Sequence, residues 1–398
     1  MDLLENIGIR NFKVYGLKGE LFKDYEDFIV QEIGEDGTVL SIDKEENKVL
    51  PIEKKDYVAF TLVKKGLSSQ DAIRLLSKSL KVSFKRIAYN GNKDRNAITS
   101  QKMSIFKLSA EKLVETSDKF FFRDISYSDE PCKIGRLRGN RFTVIARHFE
   151  DNKNDLDAIK HAVLNGIPNF YGPQRFGTGS LNIDVSRSII NRKFDEAFYI
   201  MFLKERPESV AITKSREQLR EIFSGYVLEK NNLEKEKAME ILSLLPHSME
   251  YERRALLYII EHRNDYIGAI RILPKYFRLL ILQSYQYYLY NRVLSLLLER
   301  GLTDNVDIST VGYDMQLTDD DVGAAIKEVL VLENVTDLSR FKIEQMPEAS
   351  LKSFKRNAFV FPNNFYIKEE DGKAVIKFDL DKGSYATILL LKLFGYSA

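Results

Sequence analysis

One carboxylate stands alone in a basic segment of this 398-residue chain. Between Lys81 and Lys107 the only acidic residue is Asp94, which follows Lys93 in a glycine-containing turn. Cationic neighbours favour the ionised form of a carboxylate and attract a polyanion, so the segment could present a reactive carboxylate to a nucleic acid. An aspartate in a turn is also a common structural element, because its oxygen can accept a hydrogen bond from a backbone N–H. The motif alone leaves both interpretations open.

A second basic segment runs from Lys133 to Phe142 and contains no acid. Its charge indicates contact with phosphates, and the following residues could handle a base: Asn140 could read a base edge and Phe142 could stack on an unstacked base. Phe142 also fits the inward face of a strand, so an ordinary core role is the alternative. The basic residues predicted to contact an RNA backbone are Lys81, Lys85, Arg136, Arg138 and Arg141.

Two further loops combine glycine with polar or aromatic residues. The loop 168–179 places Arg175 among glycines and aromatics, where it could approach a carboxylate or serve only as a linker between domains. The turn at Lys382-Gly383-Ser384 opens an apolar helical stretch, where free N–H groups could meet a phosphate. By contrast, the sequence lacks a phosphate-binding G-x-x-x-x-G-K-[ST] loop, a G-x-S-x-G elbow and the paired carboxylates of glycoside hydrolysis.

Composition indicates a soluble protein of two domains. The length exceeds the usual limit of about 250–300 residues for one core, and 44% apolar residues are sufficient for real cores. The net charge is only +2, so attraction to RNA must come from local clusters. The single cysteine, Cys132, excludes an intrachain disulfide, and four scattered histidines give no zinc-ligand spacing. We therefore expect a cytoplasmic protein without a metal or a membrane span.

Hydrophobic periodicity predicts an α+β protein whose sheet is interrupted by helices. Runs of β-branched and aromatic residues predict strands at 27–33 and 57–63, alternation predicts one at 141–147, and Ser68 or Ser69 can cap a helix. Long helical patterns then follow at 184–203, 215–225, 248–262 and 277–300, and strand patterns return at 364–368 and 375–380. This order suggests insertion. We predict a discontinuous domain of residues 1–178 and 352–398, interrupted by a helical domain of residues 179–351.

Four tyrosines in the predicted helix 277–300, Tyr285, Tyr287, Tyr288 and Tyr290, resemble a stacking platform for bases. In a helix, however, they fall on more than one face. Core and helix–helix packing is therefore the favoured interpretation.

Five motifs in order along the chain resemble those of the archaeal-type TruD pseudouridine synthases. They are Glu26-Asp27-Phe28-Ile29-Val30-Gln31-Glu32, Gly91-Asn92-Lys93-Asp94-Arg95-Asn96-Ala97-Ile98-Thr99-Ser100-Gln101, Gly139-Asn140-Arg141-Phe142, Pro168-Asn169-Phe170-Tyr171-Gly172-Pro173-Gln174-Arg175-Phe176-Gly177 and Gly383-Ser384-Tyr385-Ala386-Thr387. The resemblance implies a discontinuous catalytic domain with the mixed or antiparallel sheet of pseudouridine synthases, and an inserted, mainly helical TRUD domain.

The resemblance also implies an activity and a site. The activity is isomerisation of uridine 13 in tRNA by a cytoplasmic enzyme, a monomer without a cofactor. Asp94 stands in the place of the catalytic aspartate, as nucleophile or base, and Asn140 and Phe142 stand in the places that hold the target base. Further substrate contacts are expected from Phe28, Lys93 and Gln101.

The chain departs from the family pattern at one position that concerns charge. The family commonly has a lysine six residues before Phe28, where this chain has Phe22, with Lys23 next to it. We therefore expect Lys23, or in second place Arg175, to support the ionised carboxylate of Asp94 in the substrate site.

Two other functions remain as alternatives at this stage. The first is a non-catalytic protein of the same fold that binds structured RNA. The second is a protein–protein scaffold built on the helical insert, which would have no affinity for RNA. Salt-dependent binding to tRNA separates the scaffold from the other two.

Overall fold

The computed structural model describes residues 3–44, 54–113, 117–150 and 155–395. The strands in these ranges are β1 Lys18–Glu20, β2 Phe28–Ile33, β3 Tyr57–Lys65, β4 Ile87–Tyr89, β5 Ile98–Phe106, β6 Phe120–Ser128, β7 Gly139–Glu150, β8 Ile167–Pro168, β9 Asp307–Ser309, β10 Lys355–Asn357, β11 Phe359–Val360, β12 Asn363–Glu370 and β13 Lys373–Asp381. The α-helices are α1 Leu3–Asn6, α2 Ser69–Ser79, α3 Leu156–Leu164, α4 Leu181–Ile190, α5 Phe194–Phe202, α6 Val210–Leu228, α7 Lys235–Leu244, α8 Glu250–Glu261, α9 Tyr266–Arg271, α10 Lys275–Glu299, α11 Asp321–Leu332 and α12 Ala386–Phe394.

A mixed sheet forms the centre of one compact unit, which comprises residues 13–169 and 359–398. Its strand order is β12-β13-β7-β2-β5-β3-β6, with β1 added to β7 and β4 added to β5. The β2–β5 pair is parallel, and the other described pairs of this sheet are antiparallel. The predicted α+β class with a mixed sheet is confirmed.

Two apolar clusters hold helices against this sheet. The strand β3 turns Val58, Phe60 and Leu62 inward, and helix α2 covers them with Ile73 and Leu76. Helix α2 begins where the sequence predicts, because Ser68 accepts a hydrogen bond at 3.1 Å from the backbone N–H of Asp71. A residue capped in this way satisfies one of the donors that the first helical turn leaves without a partner.

The second cluster joins the beginning of the sheet to the end of the chain. Helices α3 and α12 bury Val163 and Leu389 against Val144 of β7 and Ile376 of β13. Strand β13 pairs with β7 along its full length, from Lys373 to Asp381. The strand patterns near residues 364–380 therefore do return to the first sheet.

The other unit is mainly helical and comprises residues 1–12 and 170–358. The predicted division had placed residues 1–12 with the sheet and the boundaries at 178/179 and 351/352. The N-terminal segment packs on α10 because the side-chain amide of Asn291 donates to the carbonyl of Ile7 at 2.9 Å, and Ser295 accepts from the backbone N–H of Arg10 at 3.0 Å. Hydrophobic periodicity cannot predict these bonds, because they join residues that are far apart in the sequence.

Two helix predictions in this unit were wrong. The pattern 184–203 predicted one helix, but the chain forms α4 and α5 with a break at Arg192, whose φ is 62°. The predicted start at Ser215 lies inside α6, where the Ser215 hydroxyl donates to the carbonyl of Ala211 at 3.1 Å and caps nothing. In both cases the helical spacing of apolar residues continues past the point where a helix ends or begins, so periodicity alone misplaces that point.

The tyrosines of α10 pack in the interior, as predicted. Tyr285, Tyr287 and Tyr290 are buried, and the ring of Tyr287 stacks on Tyr171 with 3.9 Å between centroids. The Tyr290 hydroxyl donates to the carbonyl of Asn357 at 3.0 Å. These three rings pack in the core of the helical unit.

Candidate active site

Strand register places four of the predicted site residues, Phe28, Gln101, Asn140 and Phe142, on one face of the sheet. In the β2–β7 pair, Val30 lies opposite Phe142 and Glu32 lies opposite Asn140. Side chains directly opposite each other project to the same side, and this parity continues across β5, β3 and β13. We call this side the site face; its members are Phe28, Val30, Glu32, Leu62, Lys64, Thr99, Gln101, Asn140, Phe142, Val144, Phe378 and Leu380.

Asp94 lies in the loop between β4 and β5, and its side chain is exposed. The loop is fixed through its backbone, because the carbonyl oxygen of Asp94 accepts a hydrogen bond from Lys64 Nζ at 2.9 Å. Lys64 also donates to the carbonyl of Leu67 and is only 1% exposed. Burial lowers the pKa of Lys64 to about 8, and the carboxylate of Asp94 opposes that shift.

The residue before Asp94 closes a buried ion pair. Lys93 Nζ lies 2.8 Å from Glu32 Oε2, and the two side chains are 2% and 1% exposed. The other carboxylate oxygen of Glu32 accepts from the amide of Asn90 at 3.2 Å and from the backbone N–H of Lys102 at 3.3 Å. The Lys93 ammonium, predicted to contact substrate, is therefore bound to Glu32 and anchors the loop to β2.

A second polar chain links the loop to α2 and β5. The backbone N–H of Lys93 donates to Ser69 Oγ at 2.9 Å, and Ser69 Oγ donates to Gln101 Oε1 at 2.9 Å. Buried polar contacts therefore hold the backbone before Asp94, through Lys93, and after it, through the Asp94 carbonyl, while the carboxylate stays accessible. Such preorganisation is what a catalytic carboxylate requires.

Three buried polar atoms on the site face have no hydrogen-bond partner among the described residues. They are the hydroxyl oxygen of Thr99, Asn140 Oδ1 and Gln101 Nε2. Asn140 Oδ1 is an acceptor and Gln101 Nε2 is a donor. A buried polar atom without a partner costs free energy, so each of the three calls for an explanation. Gly139 sets the position of Asn140, because a Cβ at residue 139 would lie 2.1 Å from the carbonyl oxygen of Leu380.

Phe142 belongs to a row of aromatic rings on the site face. Its ring stacks between Phe28, at 6.1 Å, and Phe378, at 5.2 Å. Phe22 meets Phe28 edge to face at 5.0 Å and is 40% exposed, whereas Phe142 is 6% exposed. The position that carries a lysine in the family thus extends an aromatic row in this chain.

The predicted phosphate contacts fall into two groups. Lys81 and Lys85 are exposed. Among the arginines, Arg136 lies 3.2 Å from Glu35 and also contacts Glu130, and Arg141 forms two bonds of 2.7 and 2.8 Å with Asp379 on the side of the sheet opposite Asn140.

Arg138 lies 3.9 Å from Asp381. An RNA phosphate that bound Arg136, Arg138 or Arg141 would therefore have to compete with a carboxylate of the protein.

The two cations proposed for Asp94 lie in different surroundings. Lys23 is exposed, and its ammonium lies 3.6 Å from Glu20. Arg175 belongs to the helical unit, at the end of a short 3-10 helix that follows Gly172. Their roles toward Asp94 stay predictions, and the geometry adds Lys64 as a third cation.

Sequence reasoning missed Glu32, Lys64, Ser69 and Phe378. A signal was present for two of them, because Lys64 continues the inward positions Phe60 and Leu62, and Glu32 continues Phe28 and Val30. A charged residue at a position whose period predicts burial is costly unless it is paired, so it is a candidate for a functional or positioning role. Ser69 and Phe378 carry no such signal.

No group of three or more His, Cys, Asp and Glu side chains within the described ranges could hold a metal ion. The described helices also include none that is long and apolar enough to cross a bilayer.

Comparison with known proteins agrees with this fold and site. The model of the family described as tRNA pseudouridine synthase D (TruD) matches residues 6–308 and 304–393. Relatives named "Probable tRNA pseudouridine synthase D" include one from Methanocaldococcus jannaschii, 30% identical over 94% of each chain, and one from Methanococcus maripaludis, 29% identical over 95% of each chain. The chain belongs to the TruD family of tRNA pseudouridine synthases.

A solved structure from Methanosarcina mazei, described as a tRNA pseudouridine synthase D, has the same fold. It is 26% identical, with a TM-score of 0.72 and coverage of 99% of this chain and 98% of that one. The resemblance stated from the motifs is confirmed at the level of the family.

Proposed function

We propose that this protein is an isomerase that converts uridine 13 of tRNA to pseudouridine, with Asp94 as the reacting carboxylate. The observation that carries the proposal is the exposed carboxylate of Asp94 on a loop that buried hydrogen bonds hold in place. Lys64 donates to the Asp94 carbonyl, the backbone N–H of Lys93 donates to Ser69, and the Lys93 ammonium donates to Glu32. The sheet unit would be the catalytic domain and the helical unit its TRUD insertion.

The reaction breaks the C1′–N1 bond, turns the uracil and forms a C1′–C5 bond; the proton at C5 is lost and N1 gains a proton, so the formula is unchanged. Asp94 begins it either by attacking the sugar as nucleophile or by removing a sugar proton as base. The uridine must first leave the base stack, at a cost of a few kcal/mol. Phosphate contacts from Lys81 and Lys85 would help to offset that cost.

Two of the three unpaired polar atoms of the site face are suited to uracil. The base presents an N3–H donor between two carbonyl acceptors, and Asn140 Oδ1 and Gln101 Nε2 offer one acceptor and one donor. An adenine or cytosine edge carries an exocyclic amino donor where uracil has a carbonyl. Recognition through these two side chains would therefore favour uridine.

The experiment is to map pseudouridine in tRNA incubated with the purified protein. One unmodified transcript carries uridine at position 13, and a matched transcript carries cytidine there. We expect a single pseudouridine at position 13 in the first and none in the second. A product at another uridine would refute the position, and salt-dependent tRNA binding without product would support the non-catalytic RNA-binding alternative.

Replacing Phe142 should separate its structural role from its role toward the base. Phe142→Ala empties a buried site and is expected to cost about 3–5 kcal/mol of stability. Phe378→Ala is the matched control, because that ring is 0% exposed and stacks on Phe142. Stacking on a base is worth about 1–3 kcal/mol, so Phe142→Ala should also lose turnover per folded molecule at a temperature where both variants are folded. Equal turnover in the two variants would assign Phe142 to the core alone.

A further inference from the structure

The ammonium of Lys64 is a buried charge that contacts the backbone of the Asp94 loop. It lies at the end of β3, where the inward positions before it are apolar, and it is only 1% exposed. It donates to two backbone carbonyls, those of Leu67 and Asp94. A lysine buried in this way is costly unless its bonds compensate, so its presence calls for a role.

The backbone around Lys64 is shaped to make this contact. Gly66 has a φ of +65°, a left-handed conformation that glycine adopts without strain. The turn after β3 thereby brings the carbonyl of Leu67 back to the ammonium of Lys64, three residues earlier. The same ammonium then reaches the carbonyl of Asp94, thirty positions further along the chain.

We propose that Lys64 is a positioning residue for the reaction, which holds the Asp94 loop in its productive conformation through the Asp94 carbonyl. The inference rests on the proposed role of Asp94. Hydrogen bonds from a charged donor are roughly twice as strong as neutral ones, so the protonated ammonium is the effective form. Lys64 does not contact the reacting atoms by this route; it acts through the loop.

The titration of Lys64 depends first on its burial and then on the charged groups around it. They are Asp94 and Lys93 in the loop and Asp71 on α2, and the residues opposite it on β5 and β6, Thr99 and Phe120, carry no charge. Burial lowers the pKa of Lys64 to about 8, the two carboxylates raise it and Lys93 lowers it. As pH rises through this value the ammonium loses its proton, so activity should fall on the alkaline side.

The test compares Lys64→Met and Lys64→Arg with Lys65→Met. Lys65 is the matched control, because it is the next residue on β3, is 42% exposed and pairs with Glu26. We expect Lys64→Met to lower kcat on tRNA roughly 10- to 100-fold, in line with the effect of small displacements of a reacting group, with KM within a few-fold. Lys64→Arg should recover part of kcat and move the alkaline limb to higher pH, since a guanidinium stays protonated.

Hydrogen exchange followed by mass spectrometry gives a second readout that does not depend on activity. Peptides covering residues 90–101 should exchange faster in Lys64→Met than in the wild type, and unchanged in Lys65→Met. Wild-type kcat and unchanged exchange in Lys64→Met would overturn the inference, as would a wild-type profile without an alkaline limb near pH 8. If Lys64→Met does not fold, the alkaline limbs of the pH profiles of kcat, measured for the wild type and for Lys64→Arg, test the inference.

The two proposals fail in distinguishable ways. Retained turnover in Asp94→Asn, or no pseudouridine from the wild type, would contradict the proposed function. Normal turnover and normal exchange in Lys64→Met, alongside an inactive Asp94→Asn, would remove only the role of Lys64.

Discussion

Asp94→Asn is expected to abolish pseudouridine formation while leaving tRNA affinity within a few-fold. The change is nearly isosteric and removes the ionisable group, and the backbone carbonyl that Lys64 holds is retained. An interaction made only in the transition state lowers kcat and kcat/KM together, without weakening binding of the ground state. Single-turnover assays on the uridine-13 transcript, together with tRNA titrations, measure the two effects separately.

The control for this variant is Asn96→Ala, two residues further along the same exposed loop. It should retain both turnover and affinity. Turnover by Asp94→Asn at a rate near that of the wild type would exclude Asp94 as nucleophile or base. A matching loss of affinity would instead indicate that the aspartate organises the loop.

Breaking the Lys93–Glu32 pair should produce a large loss of stability. Lys93→Met leaves the Glu32 carboxylate buried without its cation, and removing one member of a buried pair costs about 3–5 kcal/mol. Glu32→Gln should be costly for the same reason. The double variant Lys93→Met/Glu32→Gln should cost clearly less than the sum of the single changes, because neither charge is then left alone.

Denaturant unfolding of the four proteins measures this coupling. Lys55→Met provides a surface control, since Lys55 and Asp129 form an ion pair whose side chains are 36% and 74% exposed. Exposed pairs contribute about 1 kcal/mol at most. If the loss of stability in the double variant equals the sum of the losses in the single variants, the two side chains contribute independently. That result would contradict the role of the ion pair between them.

The fold could be predicted from the sequence wherever a local signal coincided with the final structure. The cap at Ser68 and the alternation in β7 are such cases, and the class of fold followed from them. The break at Arg192 could not be predicted, because the apolar period runs through it. The compact division groups residues 1–12 with the helices, whereas the sequence interpretation grouped them with the sheet. Their bonds to Asn291 and Ser295 join distant parts of the chain, so no local pattern contains them.

The candidate site was predictable in residue type but not in arrangement. Motifs identified Asp94, Asn140 and Phe142, yet only strand register reveals that Glu32 lies opposite Asn140. Register is set by pairing between strands remote in sequence, so no window of residues contains it. Lys64 had a signal in the inward period of β3, but its contact with the Asp94 loop could not be predicted, because its partners are backbone carbonyls that carry no side-chain signature.

The pairing of β13 with β7 also determines when the site can form during synthesis. Arg141 and Asp379, which bridge these strands, are 238 positions apart in the chain. A ribosome must therefore release the whole helical unit before the nascent sheet receives β13, and until then β7 presents an unpaired edge of the kind that promotes aggregation. Because Phe378 arrives with β13, a nascent chain that stops before β13 lacks the complete aromatic row, and the newly made protein gains its site face only after β13 has been translated.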